Sequence, residues 1–508
     1  MPTESGQFRS VLIIAICAPL AVLLGYALTE PLSFGSLGFV VLVWSLLCLP
    51  LLMLWHHPLL VFCWNAPMIF YFIPGQPALW TVMACVSLFF SVFARTLTKQ
   101  SSFLRVRSLE WPLILLATVV VVTILFTGGV GGRALGTEAW GGKRYLGVLG
   151  AIIGYFALIA RPIAPRRAGL FAAIFFLSGT TAVFSDLAYA AGPRFYFLFT
   201  LFSPDVAIGQ ARSVDILQRF TGLAWMAQAA GCYMLVRYGI RGLFVWQRPW
   251  RLLIYFGLFF VGLLGGFRTT VVLTLMLLCC QFYFEGLLRS RLLPILLVSL
   301  VLAGSLLVGY VDKLPLSVQR SLSFLPINVD PMARQDAAST LDWRLQIWQI
   351  VLPDVPKYLL LGKGFNFSGT DLLLTQDAMR RGFYSSIEST LVIGNYHSGP
   401  LTIIIPFGIF GVLAFAVFCW ASLRVLLSNY RYGDESVAKI NTFLLAYFAA
   451  RLVFYLVFYG QFELDLMVFT GTVGLSIAIN GGVRKPAVES ENRSAQPRLA
   501  VFSFRAVT

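Results

Sequence analysis

From Leu292 to Tyr310 the chain runs without a charged residue, and it does so again from Leu401 to Trp420. A bilayer's hydrocarbon core, ~30 Å thick, is crossed by ~20 such residues as a helix. Lipid offers backbone polar groups no partner, so each such run has to be helical. Many other windows repeat the pattern. Hydrophobic residues make up 58% of the chain and charged ones 12%, against roughly 25% charged in soluble domains. The expected fold class is an all-α polytopic membrane protein.

Fourteen windows qualify as spans: about 11–28, 37–55, 58–74, 78–94, 111–128, 144–160, 168–187, 220–238, 251–266, 269–287, 292–310, 399–423, 441–458 and 464–480. The third is interrupted by Asn65 and Pro67. Residues 1–28 have the polar start and apolar run of a signal peptide, but no small-x-small cleavage site follows, so they are expected to stay as the first helix. The expected organisation is one integral membrane domain, 1–480, containing a long loop at 311–397. A polar, basic tail at 481–508 is expected to be disordered and cytoplasmic.

Charge supplies the orientation. Arg95, Lys99, Arg105 and Arg107, then Arg161, Arg166 and Arg167, then Arg237, Arg241 and Arg248 fall in alternate connections. Arg289 and Arg291, Arg424, Arg431 and Lys439, and Arg484 and Lys485 continue the series. Positive residues mark the cytoplasmic side, which puts both termini and these connections there and the 311–397 loop outside. Only the short His56-His57 turn breaks the series. The net charge of +16 is thus a topology signal, and nucleic acid is not an expected partner. The eight cysteines lie in apolar runs without metal-ligand spacing, so neither a disulfide framework nor a metal site is expected.

Outer cations defy the topology rule and need another explanation. Arg268 follows Gly265-Gly266-Phe267, Arg219 opens the span at 220, and Arg344 lies on an expected amphipathic helix, Thr340 to Trp348, with Leu341, Leu345 and Trp348 at helical spacing. Each could merely snorkel or pair with an acid such as Asp342. Together they suit an anionic lipid headgroup, because a guanidinium forks onto phosphate oxygens two at a time. His397, one of three histidines, sits at the outer start of the 399–423 span and could accept a proton near neutral pH. Tyr396, Glu388 and Asp342 are candidate supporting residues, while Glu463 and Asp465 read as structural pairing partners.

These residues resemble the bacterial O-antigen ligase and O-antigen (exopolysaccharide) polymerase superfamily. His397-Ser398-Gly399-Pro400-Leu401, with Phe407-Gly408-Ile409-Phe410-Gly411, is similar to its H-[NS]-x-x-L…G-x-x-G segment. Arg344 to Trp348, with Leu361-Gly362-Lys363-Gly364, resembles its R-x-x-x-W…G-x-G pattern; Phe267-Arg268-Thr269 resembles S-R-[TG], and Arg219-Phe220-Thr221-Gly222 resembles R-x-x-G. The likeness spans roughly 215–415. Phe267 replaces a serine, Leu223-Ala224-Trp225 replaces an asparagine-rich continuation, and fourteen spans exceed the usual dozen.

The resemblance implies a fold like that of GT-C membrane glycosyltransferases and an inverting, metal-independent reaction without a cofactor. The donor would be an undecaprenyl (polyprenyl) diphosphate-linked glycan and the acceptor a glycan or glycolipid hydroxyl, both within membrane lipid at the periplasmic face of a bacterial inner membrane. His397 would be the catalytic base, and Arg219, Arg268 and Arg344 would hold the diphosphate. A chain-length regulator or export machinery would be a candidate partner. Polymerase is the first reading; O-antigen ligase differs from it in the acceptor. From other classes, a lipid-linked glycan flippase or transporter would want midplane charges and duplicated halves, and a scaffold would leave these residues replaceable.

Overall fold

The computed structural model describes residues 34–71, 76–97, 103–128, 139–203, 219–368 and 386–486, with a few residues of 18–29 and 373–381. The expected first span and most of the tail lie outside the described residues. The helices are α1 (Phe34–Asn65), α2 (Leu79–Leu97), α3 (Arg107–Thr127), α4 (Gly142–Ile159), α5 (Pro165–Leu177), α6 (Val183–Ala191), α7 (Thr221–Leu243), α8 (Trp250–Leu263), α9 (Arg268–Phe284) and α10 (Leu292–Tyr310). There follow α11 (Leu316–Leu322), α12 (Pro331–Val351), α13 (Ser386–Ile393), α14 (Gly399–Tyr432), α15 (Ala438–Val457) and α16 (Phe462–Asn480). Among the described residues nine helical segments are long and apolar enough to cross a membrane, and α8 and α9 are shorter apolar helices. The protein is a polytopic all-α membrane protein, whose only described sheet is the antiparallel pair β1 (Ala139–Trp140) and β2 (Phe367–Ser368).

The chain divides into two compact units, 1–58 and 59–508. The division falls within α1, and there the expected boundaries need correction. Windows 37–55 and 58–74 are not two spans. The helix continues through His56, His57 and Pro58 to Asn65, since a membrane helix tolerates a proline whose freed carbonyl finds another donor. Past Asn65 and Pro67 the chain doubles back in extended form, with the Ile69 N–H donating to the Leu201 carbonyl (2.8 Å). From α2 onward each remaining window has its helix, and the basic segments still fall in alternate connections.

In the larger unit, α16 packs along α4, α14 along α3, and α9 along α15. Phe415, Tyr455, Phe462 and Phe469 interlock as edge-to-face and tilted rings between α14, α15 and α16. α14 is broken near its N-terminal end. Pro406 cannot donate, and Gly408 adopts φ 61°, a left-handed backbone that a side chain disfavours. The segment after α12 fills the break. The Lys363 and Gly364 N–H groups donate to the Ile405 and Pro406 carbonyls (2.7 and 3.0 Å), and the Ile409 N–H donates to the Leu359 carbonyl (2.6 Å). The G-x-G stretch is therefore the plug that satisfies a broken helix three turns from His397.

Candidate functional site

The site begins at the N-terminal end of α7. Gly222 lies so close to α6 that a Cβ there would sit 2.4 Å from the Ala182 carbonyl oxygen. This contact lets the Asp186 carboxylate accept from the Leu223 N–H at 2.7 Å, capping the helix. The R-x-x-G element thus fixes the ledge from which Arg219 projects. Arg219 Nη2 meets Asp336 Oδ2 at 3.1 Å. Arg268 opens α9 and donates from Nη2 to the Ala337 carbonyl at 2.7 Å.

Both of these partners lie on α12, capped by the Asp330 side chain accepting from the Met332 N–H (2.8 Å). Asp336, Ala337, Thr340 and Arg344 follow a helical spacing along one face. The expected stripe of Leu341, Leu345 and Trp348 is not the enclosed one: Leu341 and Leu345 are exposed, and Ala333, Ala337, Ile347 and Val351 are buried. Packing against α11, α13 and α14 selects that face. Asp342 is exposed and makes no ion pair with Arg344 among the described residues, because residues two apart point to different sides of a helix.

A fourth arginine completes the cluster. Arg320, on α11, is buried; it donates to the Gly266 carbonyl and to the shared Asp336 carboxylate, and reaches Thr340 Oγ1 at 3.2 Å. Arg219, Arg268, Arg320 and Arg344 line one cavity of about 220 Å3. Among the described residues Asp336 is the single carboxylate that bonds members of this group. Arg219 and Arg344 each keep a buried Nε without a hydrogen-bond partner. Burial holds Arg344 below the usual arginine range, Tyr459 opposes this, and the like charge of Arg320 adds to the lowering.

His397 lines the adjoining cavity, about 310 Å3, with Arg344, Arg451, Trp225, Gln228 and Tyr459. The two cavities share Phe267, Thr269, Arg344 and Phe454. Arg219, Arg268, Arg344 and His397 thus line two cavities that share a wall. The His397 ring lies between Trp343 (centroids 5.0 Å) and Tyr459 (5.4 Å). Its backbone is left-handed, φ 51°, and its Nδ1 is buried without a partner. Burial, then the charge of Arg344, brings its pKa down from 6.5 to about 4, so the ring is neutral at physiological pH.

The turn holding His397 is pinned from three sides. Trp348 Nε1 donates to the Tyr396 carbonyl (2.9 Å), and Tyr455 Oη donates to the Gly399 carbonyl (2.7 Å). Arg144 donates to the Ile393 and Gly394 carbonyls (2.8 and 3.2 Å) while gripping Glu463 by Nε and Nη2 (2.8 and 3.1 Å). Tyr396 itself is buried among Ile347, Val351, Leu401 and Ile405, and burial pushes its phenol up to about 12. It supports the turn and does not line either cavity. Glu388 falls on α13, and its side chain lies outside the described residues.

Arg320, Asp336, Arg144 and Arg451 were not singled out from the sequence. Arg320 carries the same signal as its neighbours, an arginine in an expected outer segment, but no motif marks it. Asp336 and Arg144 become visible only through their partners.

Residues 253–416 match the family described as O-antigen ligase. This segment, about a third of the chain, is similar to the O-antigen ligase family. The matched segment contains Arg268, Arg320, Arg344 and His397, whereas Arg219 and Arg451 lie outside it. The comparison with curated proteins gives no match.

Proposed function

We propose that the protein transfers a glycan from a polyprenyl-diphosphate carrier to a sugar hydroxyl, inverting the anomeric centre, on the outer face of a bacterial inner membrane. The observation that carries this is the four-arginine cavity sharing a wall with the cavity that His397 lines. The match of residues 253–416 to the O-antigen ligase family supports membrane glycan transfer, and the cavity offers groups suited to its chemistry. In the reaction the acceptor oxygen bonds to the anomeric carbon as the bond from that carbon to the diphosphate oxygen breaks. The bonding pair leaves with the diphosphate, and Arg219, Arg268, Arg320 and Arg344 stabilise the charge that develops there. The hydroxyl proton passes to neutral His397. As a free base of pKa about 4 His397 is weak, but a diphosphate beside Arg344 offsets the cationic part of that depression, so donor binding strengthens the base.

Polymerisation of an exported polysaccharide is the acceptor reading we adopt, supported by Phe267 in place of serine and by Leu223-Ala224-Trp225. The alternative reading is ligation to a lipid A core, which would use the same site. Purified protein in liposomes with EDTA decides between them. The native protein is expected to lengthen a carrier-linked oligosaccharide, and His397→Ala and Arg268→Ala to lose this. Transfer only to a lipid A core acceptor would make it a ligase, and carrier movement across the bilayer without transfer would make it a flippase.

A further inference from the structure

A third cavity of about 280 Å3 adjoins the second and shares Trp225, Gln228 and Arg451 with it. Asn65 and Met467 line its far side. The cavity that His397 lines therefore adjoins two unlike spaces, one lined by four arginines and the other by an indole, an amide and a single guanidinium among mostly apolar residues. Arg451 lies in α15 about two turns from its outer end. An ionisable residue within a span is costly and usually functional.

Its one acidic partner leaves it unsaturated. Arg451 Nη2 lies 3.4 Å from Asp465 Oδ1, beyond ordinary hydrogen-bond length. The other carboxylate oxygen accepts from the Gln461 N–H (2.9 Å), and Arg451 Nε is buried without a partner. An indole face takes the apolar face of a pyranose, an amide pairs with hydroxyls, and a guanidinium forks onto a carboxylate or phosphate. Resting on the glycosyl-transfer reading, we propose that Trp225, Gln228 and Arg451 form the acceptor subsite, and that it selects a saccharide bearing an acidic group. Arg451 is the specificity-determining residue. Trp225, Gln228 and Arg451 all lie outside the matched segment 253–416.

The test is equilibrium binding to full-length protein in nanodiscs, with saturating inorganic pyrophosphate to fill the arginine cavity. The probes are a neutral glucose-terminated trisaccharide and its glucuronic acid and glucose 6-phosphate counterparts. The native protein is expected to bind one acidic probe at least about 10-fold more tightly than the neutral one, as befits a hydrogen bond to a charged group. Whichever acidic probe wins identifies carboxylate or phosphate. Arg451→Gln is expected to erase the preference and Arg451→Lys to keep part of it. If Arg451→Gln does not fold, Arg451→Gln/Asp465→Asn removes both charges and should erase it equally. Native protein that binds all three probes alike, or none, overturns the subsite, as does a preference that survives in either charge-removing variant. Release of polyprenyl diphosphate from donor in the same preparation reads the transfer reaction separately.

Discussion

His397 combines a strained backbone, φ 51°, with a ring buried between Trp343 and Tyr459. Such strain costs roughly 1–3 kcal/mol and persists where the surroundings over-determine it; Trp348, Tyr455 and Arg144 do so here. The depressed pKa has a sign that can be followed. Between pH 6.5 and about 4 the unfolded chain takes up a proton that the folded protein refuses, so stability falls as pH drops through that window. His397→Asn is expected to flatten that part of the stability–pH profile, measured by thermal unfolding in detergent. In catalysis the same shift moves the acid limb of kcat/KM down towards pH 4. The acid limb of kcat should lie higher, because bound diphosphate offsets Arg344. His397→Ala should lower transfer about 10²–10⁴-fold. Asp336 makes a different prediction. It is the anion already seated on Arg219 and Arg320, so Asp336→Asn should make inorganic pyrophosphate a stronger inhibitor, read as a lower inhibition constant.

At the scale of elements, α14 shows how a sequence signal can be correct while its reason stays hidden. Gly408 belongs to a recognisable G-x-x-G, yet nothing local says that the helix breaks there or that Leu359 to Gly364 repairs it. A Cβ on Gly408 would lie 2.6 Å from the Leu360 carbonyl oxygen and 2.7 Å from that of Leu359, both backbone atoms that cannot rotate away. Gly408→Ala should therefore destabilise the protein by at least about 1–3 kcal/mol, seen as a lower Tm and as loss of transfer, since the repaired break supports the turn of His397. Hydropathy placed most helices because membrane spans announce themselves by length and apolarity. It failed at 37–74 because proline and a pair of histidines mimic a turn in a helix that runs through them. It failed along α12 because the face a helix buries is chosen by its neighbours. Arg219, Arg268, Arg344 and His397 were legible as outer charges near span ends. Arg320 and Asp336 were not, since only tertiary packing brings 219, 320 and 336 together.

For the whole molecule, the arrangement of charge ties the site to one side of the membrane. Arg219, Arg268 and His397 lie at the N-terminal ends of α7, α9 and α14, opposite to the ends bearing Arg241, Glu285 and Arg431, and Arg320 and Arg344 join them from α11 and α12. If the basic connections face the cytoplasm, the site faces away from it. The merging of two expected spans into α1 removes one crossing, so the parity argument holds from α2 onward and does not extend to the residues before it. The consequence is measurable in intact cells and spheroplasts. Single cysteines placed at Ser323, in the outer segment, and at Ser436 and Lys485, in the basic ones, on a background with the native cysteines replaced, should label oppositely with a membrane-impermeant maleimide. Position 323 is expected to react from outside, and positions 436 and 485 only after the membrane is opened. Labelling of all three from the same side would contradict the alternation of α10 to α16. Labelling of 436 and 485 alone from outside would turn the site to the cytoplasm and remove the outer-face reaction.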